Sequence, residues 1–284
     1  MTRTGTPVTV AVLGLGEAGS RYAADLAAAG VPVSGYDPAG PREPLPPGLR
    51  LASTAAEAAD GADLVLSVNA AAAAERAARD AAGGLRAGAV YADLNTSSPD
   101  SKRRVAAVLD GTGALFADVA VLAPVPRAGL RTPVALAGPG REKLARFLRP
   151  LGVPVEDAGP EPGTAAARKL LRSIFMKGLA AAVIESMDVA ARAGLTGWLW
   201  DQITAELAAA DSALATRLMA GTRQHAPRRL AEMRAAHDYA TELGAPDPVT
   251  QAVIERLAAL TAGAGSAAPP RLTRPGSPGP QPGR

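Results

Sequence analysis

Residues 8–19 read VTVAVLGLGEAG, and this stretch decides the fold of the chain. Its first half is rich in β-branched and small apolar residues, which predicts a strand over Val8–Leu13. The strand runs directly into the pattern G-x-G-x-x-G, and the residues that follow predict a helix over Glu17–Ala29. A strand, a glycine turn and a helix in this order are the context in which the pattern binds a dinucleotide. The residues of the turn are Gly14, Leu15, Gly16, Glu17, Ala18 and Gly19.

Each glycine of this turn has a physical role in the dinucleotide interpretation. Gly14 permits the tight turn, Gly16 lets the backbone approach a pyrophosphate, and Gly19 lets the helix pack closely on the strand. The amino end of the helix offers backbone amides to the anion. The alternative is an ordinary glycine-rich turn between a strand and a helix.

The end of the second predicted strand bears on which dinucleotide binds. Asp37 follows the strand predicted over Val31–Tyr36, where a carboxylate accepts hydrogen bonds from ribose hydroxyls and repels a 2′-phosphate. NAD is therefore favoured over NADP within the NAD(P) class. Arg42, in the proline-rich loop that follows, could reach a phosphate, so NADP stays open.

Beyond this unit, short β-rich runs alternate with alanine-rich helical stretches as far as Val155. Such alternation predicts a Rossmann-type α/β domain with a parallel sheet covered by helices on both faces. Further strands are predicted over Asp63–Val68, Ala89–Asp93, Ala114–Val121 and Pro133–Ala137, and further helices over Ala70–Ala81, Pro99–Leu109 and Arg141–Leu148.

A run of glycine and proline over residues 159–163 marks a domain boundary. We predict a cofactor-binding domain over residues 1–160, an all-helical substrate and dimerisation domain over 161–262, and a disordered, Pro/Gly-rich tail over 263–284. The long apolar first helix of so small a second domain predicts a homodimer, because it cannot bury its apolar residues alone. The helices of this domain are predicted over Thr164–Arg192, Thr196–Leu207, Ala213–Met219, Pro227–Leu243 and Pro248–Leu260.

Composition excludes several classes of protein. There is no cysteine, hence no disulfide, thiolate metal site or cysteine nucleophile. We expect neither membrane insertion nor secretion, because no apolar run reaches about 18 residues and no leader is visible, so the cytoplasm is the expected location. Three arginines in residues 263–284 account for the net charge of +3 and leave the rest of the chain formally neutral, so no nucleic-acid partner is expected. His225 and His237 lack the spacing of metal ligands, and no metal site is predicted.

Two more strand ends should face the cofactor, because ligands bind beyond the carboxyl ends of parallel strands. One is Val68 and Asn69, and the other is the segment Asp93–Pro99. In the second segment Thr96 is the candidate for contact with the nicotinamide ribose. Ser97 or Ser98 suits the alternative role of capping the helix that starts at Pro99.

A polar stripe runs along the long apolar helix that is predicted to start at Thr164. Lys169, Ser173 and Lys177 are spaced i, i+4 and i+8 and so share one face. The structural alternative is that these lysine side chains extend their amines to water.

Four motifs in this order resemble the β-hydroxyacid dehydrogenase superfamily, which includes 3-hydroxyisobutyrate and 6-phosphogluconate dehydrogenases. They are Gly14–Gly19, Asp93–Pro99, Asp118–Pro124 and Gly163–Ser173, and the resemblance extends from Val8 to Leu260. It favours the branch whose short helical C-terminal domain is similar to that of 6-phosphogluconate dehydrogenase.

The resemblance implies that Lys169 is the general acid/base and that the bound cofactor exchanges hydride with a small-molecule substrate. Ser173 stands where the family has asparagine, so substrate positioning must differ. Leu122, Ala123 and Pro124 stand where the family has a serine and two glycines that hold a carboxylate. We therefore expect a pocket that depends less on a carboxylate of the substrate, or one in which a cation such as Arg127 replaces the missing groups.

A last cluster, His225, Arg228, Arg229 and Glu232, shares one helix face and could either recognise phosphate or be a solvated face with an Arg–Glu pair. The chain as a whole is expected to be an NAD(P)-dependent dehydrogenase acting on a CH–OH group. An imine reductase-like enzyme is one alternative, although Asp or Tyr would then be expected at position 169. The other is a non-catalytic dinucleotide-binding sensor or scaffold.

Overall fold

The computed structural model of the protein describes residues 8–41 and 44–263. By its internal contacts the chain divides into two compact units, Met1–Ile174 and Phe175–Arg284. The predictions for Arg42 and for the tail beyond residue 263 lie outside the described residues.

The first unit is built on one eight-stranded sheet in the order β3-β2-β1-β4-β5-β6-β7-β8. Neighbouring strands are parallel except β6 and β7, so the predicted parallel sheet is correct for most of its width and wrong at that pair. The strands are β1 Val10–Leu13, β2 Val33–Tyr36, β3 Arg50–Leu51, β4 Leu64–Ser67, β5 Val90–Asp93, β6 Leu115–Val121, β7 Val134–Ala137 and β8 Val155–Gly159.

Helices cover both faces of this sheet because successive side chains of each strand point to opposite sides. Val10 and Val12 pack into one buried cluster, whereas Ala11 and Leu13 pack into the other. The helices of this unit are α1 Glu17–Ala28, α2 Ala55–Ala59, α3 Ala74–Ala82, α4 Pro99–Val108, α5 Val125–Ala128 and α6 Arg141–Leu148. A further helix, α7, begins here and extends over Thr164–Arg192 into the second unit.

The Rossmann-type fold predicted from the sequence is confirmed, with several short elements that the sequence did not predict. Among these are β3, α2, α5 and β8. Both residues of β3 are exposed and carry no apolar pattern, while α2 is a five-residue run dominated by alanine. The antiparallel turn between β6 and β7 is made by a connection that holds only the four-residue α5 and a short 3₁₀ turn, with no crossover helix of ordinary length.

The second unit is helical. After α7 it contains α8 Thr196–Ala208, α9 Ser212–Gln224, α10 Ala226–Glu242 and α11 Pro248–Ala262. Buried residues of α10 and α11 include Leu230, Ala240 and Leu257. In contrast, none of the residues of α8 or α9 is buried. Within the described part of the chain, no helix has both the length and the apolar character needed to cross a membrane.

Candidate functional site

The glycine turn after β1 has a backbone that only glycine can follow. Gly14 has a φ of +96°, and a Cβ built on it would lie 2.3 Å from the carbonyl oxygen of Val68. A Cβ on Gly19 would lie 1.8 Å from the carbonyl oxygen of Gly14. The turn is therefore closed against the end of β4, at the point where the strand order reverses between β1 and β4. Ligands of open α/β sheets bind at this kind of switch point.

Gly16 differs from its neighbours because it faces open space. Its φ is −71°, and a Cβ there would meet nothing within 4 Å. Gly16 is the N-cap of α1 and brings no side chain over the amides of the first turn. A diphosphate can approach these amides, so the residues present fit a dinucleotide. Leu15 turns its side chain into the core, whereas Glu17 is exposed on the first turn of the helix.

The side chain of Asp37 accepts a hydrogen bond from the glycine turn. Its Oδ2 accepts a hydrogen bond from the backbone N–H of Leu15 at 2.7 Å, and its Oδ1 accepts one from Ala39 at 2.9 Å. The carboxylate is half-buried, so it still presents oxygen lone pairs beside the turn. Its position, at the end of β2 and next to the turn, is where ribose hydroxyls bind in this type of fold.

A network of amide and hydroxyl groups joins the ends of β4 and β5. Asn95 accepts a hydrogen bond from the backbone N–H of Asn69 through Oδ1, and its Nδ2 donates to Ser67 Oγ at 3.1 Å. Asn69 Nδ2 donates to the same hydroxyl at 3.0 Å. The predicted cofactor residue Asn69 is thus held in place by two buried partners, Ser67 and Asn95, neither of which was a candidate site residue. Their signal in the sequence was a polar residue at the end of one apolar strand, Ser67, and another just beyond the end of the next, Asn95.

The loop after β5 is hydrogen-bonded to the lysine of α7 that the sequence singles out. Thr96 Oγ1 accepts a hydrogen bond from Lys169 Nζ at 2.8 Å. Thr96 is exposed and Lys169 is half-buried on α7. Ser98 caps α4 by accepting from the N–H of Ser101 at 3.2 Å, so the capping role falls to Ser98 and Thr96 faces the lysine.

The other predicted substrate residues differ in their exposure to solvent. Ser173 is half-buried one helical turn beyond Lys169, and Leu122 is half-buried immediately after β6. Ala123 and Arg127 are exposed on the segment between β6 and β7. Lys177 is exposed on the part of α7 that belongs to the second unit.

Three members of the arginine cluster of α10, His225, Arg228 and Glu232, are exposed, and Arg229 is half-buried. Arg228 and Glu232 form an exposed pair at 3.5 Å, and Arg229 Nη1 donates to Thr222 Oγ1 at 2.5 Å. His225 is exposed between α9 and α10. These contacts favour the structural interpretation of the cluster over phosphate recognition. Within residues 8–41 and 44–263, no three histidine or acidic side chains come together as a metal site would require.

A second polar centre, missed in the sequence, lies at the start of α11. Glu185 on α7 accepts hydrogen bonds from the backbone N–H groups of Val249 and Thr250, at 2.6 and 2.8 Å. His237 Nδ1 lies 2.7 Å from Asp247 Oδ2. This hydrogen bond raises the pKa of His237 and is also the main cause that lowers the pKa of Asp247.

Comparison with protein families shows what the two units are similar to. Residues 9–150 match the NAD-binding domain of 6-phosphogluconate dehydrogenase. Residues 190–260 match a domain of unknown function. A curated relative, an uncharacterized 28.5 kDa protein of Methanothermus fervidus, is 33% identical over 106 residues, which span 37% of this chain and 40% of the relative. That match therefore covers less than half of the relative's length.

Solved structures extend the similarity to nearly the whole chain. A conserved hypothetical protein from Sinorhizobium meliloti 1021 is 30% identical with a TM-score of 0.59, and the match covers 89% of this chain and 88% of that one. A conserved protein described as structurally similar to 3-hydroxyacid dehydrogenases is 26% identical with a TM-score of 0.58, covering 90% and 97%. An imine reductase from Aspergillus terreus in complex with NADPH4 has a TM-score of 0.75 at 18% identity, covering 91% and 95%, which is a likeness of fold alone.

Proposed function

The chain belongs to the family built on the NAD-binding domain of 6-phosphogluconate dehydrogenase, a family of NAD(P)-binding dehydrogenases and reductases, and from this premise we propose its reaction. We propose that it transfers a hydride between NAD(P) and a small hydroxy acid or related alcohol. Lys169 is the general acid/base of this reaction. The observation that supports this role is the Lys169–Thr96 hydrogen bond at the carboxyl end of the sheet.

The dinucleotide is held by the turn after β1 and by the strand ends beside it. The amides at the start of α1 bind the diphosphate, and Asp37 accepts from the adenosine ribose, which favours NAD. Val68, Asn69 and Thr96 line the nicotinamide half. When bound, the nicotinamide ring supplies the hydride acceptor or donor.

Lys169 moves the proton that accompanies the hydride. In alcohol oxidation its neutral amine takes the hydroxyl proton while the C–H bond breaks and the electron pair leaves as hydride. In the reverse direction its ammonium returns that proton to the carbonyl oxygen. Thr96 accepts a hydrogen bond from Nζ and so orients the amine in both protonation states.

A reductase of imines is a second candidate, favoured by the segment after β6. Leu122, Ala123 and Pro124 offer no side-chain donor, Pro124 has no backbone N–H, and the N–H of Leu122 donates to Pro133, so the segment has fewer groups to hold a carboxylate than the serine and glycines of the family. In this case the Lys169 ammonium donates its proton to the nitrogen of the substrate. Arg127 is the nearby cation that a carboxylate would need.

The working protein is proposed to be a homodimer. Large apolar side chains are exposed along α7 and α8, among them Phe175 at 66%, Trp198 at 61% and Trp200 at 53%. Exposed apolar surface of this kind marks an association site, and a second copy of the chain presents the same surface.

A panel of substrates tests the proposed reaction. Purified protein is given NAD or NADP with 2- and 3-hydroxy acids or simple alcohols, or NADH or NADPH with cyclic imines, and the nicotinamide absorbance is followed. Cofactor binding is measured separately by calorimetry. We expect turnover with one substrate class and loss of that turnover in Lys169→Met. Lys143→Met is the control that should retain it, because Lys143 donates to the backbone carbonyl of Gly88, which precedes β5 at the amino ends of the parallel strands. Binding without turnover on every class would instead indicate a dinucleotide sensor.

A further inference from the structure

A lysine is buried between two carboxylates beneath the Thr96 loop. Lys102, on α4, is 1% exposed, and Asp93 and Asp118 are both 0% exposed. Lys102 Nζ donates to the backbone carbonyl of Asp93 at 2.7 Å. The same nitrogen lies 3.2 Å from Asp93 Oδ2 and 3.5 Å from Asp118 Oδ1. Since buried ion pairs often stabilise a fold no better than apolar residues would, the cluster calls for another explanation.

The charges of this cluster do not balance, because two carboxylates face one ammonium. Burial raises the pKa of Asp93, so Asp93 holds a proton more readily than an exposed aspartate. Asp118 lies at the amino end of α7, where its side chain contacts backbone N–H groups of the first turn. Lys102 is the cation that the cluster shares.

Asp118 connects the cluster to the helix that carries Lys169. Its Oδ2 accepts hydrogen bonds from the backbone N–H groups of Gly163 and Ala166, at 3.1 and 3.0 Å. Gly163 has a φ of +94°, and a Cβ there would lie 2.8 Å from the carbonyl oxygen of Pro99. The first turn of α7 is thus fixed against the first turn of α4.

Both partners of the Lys169–Thr96 contact are attached to the framework formed by Lys102, Asp93 and Asp118. Thr96 lies in the short loop between Asp93, which ends β5, and Ser98, which caps α4. Lys169 follows shortly after the turn of α7 that Asp118 caps. Lys102 bonds to the loop side of the framework at Asp93 and pairs with the helix side at Asp118.

We propose that Lys102 is a positioning residue, which through Asp93 and Asp118 aligns the loop of Thr96 with the helix of Lys169. The inference rests on the proposed function for its catalytic consequence. Its structural content, the alignment of loop and helix, stands apart from any turnover. The rival explanation is that Lys102 contributes to stability alone.

Two variants and a control separate these explanations. Lys102→Met removes the shared cation but leaves two facing carboxylates, which could prevent folding. The double variant Lys102→Met/Asp93→Asn removes one charge of each sign, so the formal charge of the cluster is unchanged. Val105→Ala is the control, because it weakens the buried apolar face of the same helix and leaves the cluster intact.

Amide hydrogen exchange of the full chain is the first measurement and needs no substrate. We expect exchange at residues 94–98 and 163–169 to rise about tenfold or more in the double variant, because the Lys102 contacts that join the loop to the helix are lost, and to stay near the wild-type rate in Val105→Ala. Equal exchange rates at these residues in the double variant and in Val105→Ala would overturn the proposal. So would failure of both Lys102 variants to fold while Val105→Ala folds, because the lysine would then serve stability.

Steady-state kinetics is the second measurement, made with the substrate class that the wild type accepts. We expect kcat to fall about 10- to 100-fold in the double variant with KM and the cofactor Kd within about twofold, because a small displacement of Lys169 affects chemistry more than binding. A similar fall in Val105→Ala would count against positioning. A wild-type protein that turns over no substrate would contradict the proposed function. The comparison of amide hydrogen exchange between the double variant and Val105→Ala would still test the role of Lys102.

Discussion

Lys169 Nζ and Thr96 Oγ1 are 2.8 Å apart, although the two residues are separated by 73 positions in the chain. One belongs to the long helix α7 and the other to the loop that follows β5. Because the glycine turn and the loops after β4 and β5 lie at the same edge of the sheet, this contact places an amine beside the region where a nicotinamide is expected.

Thr96→Val should lower kcat while leaving the fold intact. Valine keeps the shape of threonine but cannot accept a hydrogen bond from Lys169. Removing a hydrogen bond to a charged group costs about 1.5–3 kcal/mol, which corresponds to a fall in kcat of roughly 10- to 100-fold if the bond orients the amine in the transition state. Steady-state kinetics checks this, with Thr96→Ser as the control that restores the hydroxyl. A Thr96→Val protein as active as the wild type would show that the contact does not orient the lysine.

Gly14→Ala and Gly16→Ala should fail in different ways. An alanine Cβ at position 14 would clash with Val68 at a positive φ, so we expect the free energy of unfolding to fall by about 1–3 kcal/mol or more. At position 16 the methyl group meets only open space, so stability should be unchanged. That methyl group would nevertheless occupy the path of the diphosphate, and we expect the Kd for NAD(P) to rise about tenfold or more.

Thermal unfolding and calorimetric titration of the same two proteins separate these effects. Unchanged cofactor affinity in a stable Gly16→Ala protein would mean that the diphosphate does not lie against residue 16.

Asp37→Asn should shift the cofactor preference toward NADP. The amide is close in shape to the carboxylate and keeps one acceptor for the N–H of Leu15 or Ala39, but it no longer repels a 2′-phosphate. We expect the ratio of the Kd for NADP to the Kd for NAD to fall about tenfold, which corresponds to ~1.4 kcal/mol of electrostatic discrimination. Binding titrations with both cofactors give this ratio directly. A ratio that does not move would remove Asp37 as the source of preference.

Local patterns predicted most of the fold, because each element carries its own signals. Helix α7 was predicted over Thr164–Arg192 and is found with those bounds, since glycine and proline precede it and no proline interrupts it. The reversed direction of β7 could not be predicted in this way, because its apolar run looks the same in a parallel or an antiparallel pair.

The candidate site could be predicted from the sequence where a motif marks its residues. It could not be predicted where tertiary packing determines whether a side chain is buried. The glycine turn, Asp37 and Lys169 each follow from a recognisable pattern. Lys102 begins a run of three basic residues that looks like a solvated helix face. It is buried because the first turn of α4 turns that one position toward Asp93 and Asp118, a fact of tertiary packing.

Charging the exposed tryptophans of α8 should dissociate the proposed dimer. Trp198→Asp/Trp200→Asp removes two large apolar side chains and introduces like charges that would face each other across a symmetric interface. We expect sedimentation equilibrium to show a dimer for the wild type and a monomer for this variant. Leu51→Asp is the matched control, because Leu51 is similarly exposed, at 50%, but lies on β3 of the first unit. A wild-type monomer would contradict the dimer itself.

The His237–Asp247 pair should make stability depend on pH within a defined window. The bond to Asp247 raises the pKa of His237 above 6.5, so its contribution is fully present below that pH and is lost as pH rises through the raised value. The bonds to His237 and Gln251 lower the pKa of Asp247 below 3.8, so its contribution is present above that pH and is lost as pH falls through the lowered value. Both contributions therefore coexist in mildly acidic solution.

The difference in melting temperature between the wild type and His237→Gln should be largest near about pH 5 and should shrink as pH rises through the raised pKa of His237, because the imidazole then becomes neutral and the charge attraction to Asp247 is lost. Thermal unfolding over this pH range measures it, with His225→Gln as the control at the other, exposed histidine. A His237→Gln difference that stays constant with pH, or grows in alkaline solution, would show that the pair contributes by shape and hydrogen bonding rather than by charge.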